Sequence, residues 1–125
     1  MGSLAFAFPI QAGKIEAVKR LAREVHDDRG QDEHERRGAQ GLSRLKVFLQ
    51  TGRHEMMIVY FEGDDVVAAA ARILREDHEH EQWLLSQLED IVHFAHMAEE
   101  EGVRSELVFD WHDQHGTALA EQPKH

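Results

Sequence analysis

Residues 76–83 read EDHEHEQW, two histidines one residue apart among four acids and closed by a tryptophan. Imidazole and carboxylate are the groups of metal binding and proton transfer, so this stretch is the first place to look for chemistry. It approaches the zinc-protease helix motif H-E-x-x-H and misses it twice, since the fifth residue is Gln82 counted from His78 and Leu84 counted from His80. On a helix His78 and His80 stand ~200° apart and cannot share one ion. The acids suit the approach to a helix beginning near Gln82, where negative charge favours the dipole, and the two histidines are expected to be solvated. A second constellation, Glu89, His93, His96 and Glu100, forms one helical stripe at i, i+3 and i+4 spacings. The apolar stripe of the same segment points to nearly the opposite side. The stripe is therefore expected to face solvent, and no metal is assigned to either group.

Covalent chemistry has little to work with. None of Ser3, Ser43, Ser86 or Ser105 stands in G-x-S-x-G, and neither GDD nor GRH has the spacing of a phosphate-cradling loop. The absence of cysteine excludes disulfides, thiolate zinc sites and thiol nucleophiles. Acid/base or binding work in an apolar pocket remains. His26 and His34 bracket a polar connection after the first helix, where a lid could lie, and Arg36 and Arg37 follow it. A neutral His26 or His34 would take a proton, and Arg37 or Tyr60 would hold the resulting oxyanion. Arg can hold an enolate or carboxylate bidentately. Trp83 could wall a site for a planar ligand, with Gln50 and Glu62 at the ends of two strands. No organic cofactor is called for.

Leu4, Phe6, Phe8 and Ile10 alternate with Ala5, Ala7 and Pro9, the period of a strand, and Gly13 ends it. Ile15, Val18, Leu21, Ala22 and Val25 then give a helical stripe. Residues 31–38, QDEHERRG, are wholly polar and read as a helical turn or an ordered loop. Leu45–Gln50 and Met56–Glu62 are strands joined by a short Gly-containing connection. The run MMIVYFE is apolar on both faces, which calls for cover on both sides of the sheet. GDD at 63–65 caps a helix lined by Val66, Val67, Ala70, Ile73 and Leu74. Helical character fails over 75–82 and resumes at Trp83 with Leu84, Leu88, Ile91, Val92 and Ala95. Leu107, Phe109 and Trp111 mark a last strand, and residues 113–125 read as a frayed tail. The order is β-α-β-β-α-β with an interrupted second helix, an α+β ferredoxin-like fold with both helices on one face of an antiparallel sheet.

The 125 residues suffice for one domain, 1–112, with a single core, and 42% apolar and 30% charged residues suit a globular protein. A net charge of −10 repels phosphate backbones and anionic lipids, which disfavours nucleic acid and membrane partners. There is no signal-peptide pattern and no run approaching the ~20 apolar residues of a membrane helix, so a cytoplasmic location is expected.

FAFPIQAGKIEAVKRLA, FLQTGRHEMMIVYFEGDD, EQW and LVFDW together resemble the dimeric α+β barrel superfamily, and more narrowly small bacterial proteins of that class. The resemblance covers most of residues 4–111. It implies a homodimer in which two sheets pack face to face, with a pocket between sheet and helices. The superfamily includes cofactor-free quinol monooxygenases, polyketide cyclases, lactone isomerases and haem enzymes. Two functions are in view: a cofactor-free enzyme or binder for a hydrophobic, aromatic small molecule, and a non-catalytic dimeric module with an acidic, His-rich surface. A pocket of roughly 300 Å³ or more lined by Tyr60, Trp83 and a histidine favours the first. A barrel filled by Phe6, Phe8, Met56 and Met57 favours the second.

Overall fold

Three strands alternate in register to make the scaffold. In the computed structural model, which describes residues 2–75, 77–93 and 107–119, β1 (Gly2–Pro9), β2 (Leu42–Gln50) and β3 (Met56–Gly63) form an antiparallel sheet in the order β1-β3-β2. Phe6 and Val47 both oppose Val59, while Leu4 and Leu45 oppose Phe61 and Phe8 and Leu49 oppose Met57. Because side chains alternate across a strand, this register gathers these residues on one face. The other face carries Ala5, Ala7, Phe48, Ile58 and Tyr60, with Phe48 and Ala7 exposed.

The helices cover the first face. α1 (Ile15–Asp28) buries Val18 and Leu21, and α3 (Val66–Arg75) buries Val66 and Ala69. Each fully buried aliphatic side chain of this kind contributes about 1.5–3 kcal/mol. α4 (Glu79–Ile91) presents Leu84, Leu88 and Ile91 to the same core as α1. Its far end is tied down by an isolated bridge between Ile10 and Val92, and by Gln11, whose side-chain amide donates to the carbonyls of Glu89 and Val92. The core thus has two clusters, one around Val18, Leu21, Met57 and Val92 and one around Leu42, Phe61, Val66 and Ala69, both touching Val59.

The polar run after α1 is a full helix, α2 (Gly30–Ala39), and its only buried residue within those bounds is Arg37. Gly41 (φ 84°) then turns the chain into β2. At this point Gly63 lies so close that a Cβ on it would come within 2.6 Å of the Gly41 carbonyl oxygen. Glycine at 63 is therefore what lets the end of β3 meet the exit from α2.

Mixed α+β architecture is as expected, but the details differ in three places. The second helix is interrupted as expected, into α3 and α4, but it restarts at Glu79 rather than Trp83. Phe109 and Trp111 lie in β4 (Phe109–His112), which pairs with β5 (Gly116–Leu119) in a separate two-stranded hairpin and adds nothing to the main sheet. β5 falls within the segment expected to be a tail. Two short strands with their own turn satisfy one another's backbone groups locally, which the apolar alternation of 107–111 alone could not foretell. No described helix is long and apolar enough to cross a membrane.

Candidate functional site

Between the sheet and the helices lies a cavity of about 380 Å³ walled by Phe6, Phe8, Val59, Phe61, Leu84 and their neighbours. Half-exposed Val47 and Leu74 stand on its rim, between the edge strand β2 and α3. Among the described residues, the charged side chains in its lining are Glu33 and Arg37 of α2.

These two belong to a buried polar cluster built by α2 and the first turn of α4. Glu33, Arg37 and Gln40 are spaced i, i+4 and i+7, so one face of α2 carries all three. Arg37 Nε lies 2.9 Å from Glu33 Oε1, an ion pair whose N–H is off the line of a hydrogen bond. Arg37 Nη1 donates to Gln40 Oε1 at 2.9 Å, and Nη2 pairs with Glu81 Oε1. Gln40 also donates to the second oxygen of Glu81 at 3.4 Å. His80 Nε2 contacts Glu33 Oε1 at 3.3 Å. His80 and Glu81 are both 0% exposed and Gln40 is 1%. Burial pulls the Arg37 guanidinium below its ordinary range, the Glu33 carboxylate pushes it back up, and Arg36 lowers it again.

Local structure explains the placement. His78 caps α4 in an extended conformation, its Nδ1 accepting the His80 backbone N–H at 3.1 Å. The helix therefore starts early enough to turn His80 and Glu81 inward. Trp83, one turn on from His80, has its ring centroid 6.0 Å from that imidazole. Arg29, between α1 and α2, lies 3.9 Å over the Trp83 ring and holds Glu79 through both carboxylate oxygens at 3.2 and 3.1 Å. That guanidinium keeps the Glu79 carboxyl below its usual range.

Of the residues singled out from sequence, Arg37 lies in the cluster and Trp83 flanks it. His26 is solvent-exposed and contacts Asp27, and His34 is exposed on α2. Tyr60 and Glu62 share the sheet face away from the cavity, where burial raises the phenol pKa and Glu62 raises it further. Gln50 is exposed and donates to the His54 carbonyl at 2.9 Å. The cavity passes the size expected of a ligand site, but its walls are Phe6, Phe8 and Met57 rather than Tyr60, Trp83 or a histidine. The expectation that His78 and His80 are solvated is overturned for His80. α4 ends at Ile91, so the Glu89 stripe is not helical at His93, and His96 and Glu100 lie outside the described residues.

Sequence reasoning missed Glu33, Gln40, His80 and Glu81. Stepping back four residues from Leu84 and Leu85 lands on His80 and Glu81, so the stripe of α4 contained them. No protein-family model, curated protein or solved structure matches the chain.

Proposed function

We propose that the protein binds a hydrophobic small molecule in the cavity and acts on it by cofactor-free acid/base chemistry at the Glu33–Arg37 end. The observation that carries this reading is an apolar cavity of about 380 Å³ with one carboxylate and one guanidinium side by side in its wall. Apolar walls supply affinity, and a few placed polar groups supply orientation. Glu33 is the group positioned to accept a proton from a bound enol, phenol or acidic C–H, and Arg37 to hold the anion that results. Behind Glu33, His80 and the Arg37–Glu81 pair fix the carboxylate in place. His26 and His34, exposed on the surface, drop out of this role.

Ligand-dependent thermal stabilisation with a panel of hydroxylated aromatics tests the reading. Wild type should be stabilised by at least one member, and Ala70→Phe, which fills the cavity, should abolish the shift. Equal shifts in both proteins overturn it.

The same proposal includes a homodimer, supported by the apolar face around Ala7, Phe48 and Ile58 that no described helix covers. Light scattering should give a dimer for wild type and a monomer for Phe48→Glu. A monomeric wild type at micromolar concentration ends that part of the reading.

A further inference from the structure

We infer that Glu33, His80 and Glu81 form a binding site for one divalent transition-metal ion, which when bound would occupy the Glu33 carboxylate that the acid/base reading uses as a base. The three side chains offer one imidazole nitrogen and two carboxylate oxygens, all within 4.8 Å of one another. Two donors at ~2.1 Å from a common ion and roughly 90–110° apart lie about 3.0–3.4 Å from each other. The 3.3 Å between His80 Nε2 and Glu33 Oε1 has the length of such an edge.

A second observation points the same way. His80 is 0% exposed, and its Nδ1 has no hydrogen-bond partner among the described residues. Whichever nitrogen carries the proton, this imidazole is buried with half of its polar capacity unused. A buried group in that condition is costly and calls for an explanation. A metal on Nε2 would account for the burial of that nitrogen beside Glu33, with the ring proton left on Nδ1.

The surrounding charges set the character of the site. On α2 the charged groups at the cluster are Glu33, Arg36 and Arg37, and on α4 Glu81. Arg37 pairs with Glu81 Oε1, leaving Oε2 on the longer contact to Gln40 and thus the more available ligand atom. The partly exposed Glu33 carboxylate is the way in from the cavity. One imidazole with two carboxylates selects Zn²⁺, Mn²⁺, Fe²⁺ or Co²⁺ over Ca²⁺ and Mg²⁺, which prefer oxygen alone.

The test uses the full chain stripped with EDTA, carrying Trp111→Phe so that Trp83 is the only tryptophan. Co²⁺ titration should give saturable d–d absorption at one equivalent, with quenching of Trp83 in step, since its ring lies 6.0 Å from His80. His80→Ala and Glu81→Gln should each weaken binding at least tenfold, while His26→Ala/His34→Ala should not. Zn²⁺ should bind competitively and raise the melting temperature of the parent but not of Glu81→Gln. Absence of saturable Co²⁺ absorption in the parent overturns the inference, as does uptake with unchanged affinity in folded Glu81→Gln. Should the cluster variants fail to fold, the parent alone decides, since unquenched Trp83 at saturating Co²⁺ also overturns it.

Discussion

Replacing Arg37 by Met removes a cation that touches Glu33, Gln40 and Glu81 together. Glu81, at 0% exposure, is left as a buried carboxylate with only the 3.4 Å contact from Gln40. Breaking a buried pair by deleting one partner costs about 3–5 kcal/mol, because the survivor keeps its desolvation penalty without its attraction. Arg37→Met should therefore lower the urea midpoint at unchanged m-value, with a fall in melting temperature of about 10–20 °C for a chain of this size. Glu81→Leu alone leaves the guanidinium with Glu33 and Gln40 and should cost less. The double variant Arg37→Met/Glu81→Leu removes both charges from the interior and should cost well below the sum of the two single effects. It should also lose metal and ligand binding, separating stability from function. A cost below about 1 kcal/mol for Arg37→Met would mean that the pair is solvated and the cluster is not a buried unit. Additive single effects would show that the two residues act apart.

Gly63→Ala should cost about 1–3 kcal/mol, since its Cβ meets the Gly41 carbonyl oxygen at 2.6 Å and the backbone must shift; chemical denaturation measures it. The single tyrosine should ionise above pH 10.0 by ultraviolet absorbance, with Glu62→Gln lowering the midpoint, because burial and Glu62 favour the neutral phenol. The stability gained from keeping Tyr60 neutral is present below pH 10.0 and is lost as pH rises through the raised value. For Glu79, held below its ordinary 4.5 by Arg29, the contribution is present above that value and lost as pH falls through the depressed one. Wild type and Glu79→Gln should therefore converge in melting temperature at the acid end and separate toward neutrality.

Much of the scaffold was legible because its signals are local. The alternation of Leu4, Phe6 and Phe8 and the stripe of Val18, Leu21 and Val25 report directly which face is buried. The candidate site was not legible in the same way. Polar residues normally mark surface, and QDEHERRG and EDHEHEQ contain no apolar residue to suggest otherwise. The buried members of each are buried because the other segment is there: Arg37 pairs with Glu81, and Glu33 meets His80. Such mutual burial depends on bringing residues 33–40 against residues 80–81, a relation that neither segment's own pattern contains. Arg37 could be found by its chemistry, but its partners needed the fold. The histidines His26 and His34 drew attention for their type, yet both lie on the outside of α1 and α2.

Most elements of this molecule are held by apolar burial, whereas α2 is held by charge. Its single buried side chain within the helix is a guanidinium, and its grip on α4 runs through Glu33, Arg37 and the neighbouring Gln40. Without apolar area to lose, α2 forms a local unfolding unit, able to open at a free energy well below that of global unfolding. Its amides should exchange with solvent ahead of those in α1 and β3, and each opening uncovers the charged end of the cavity.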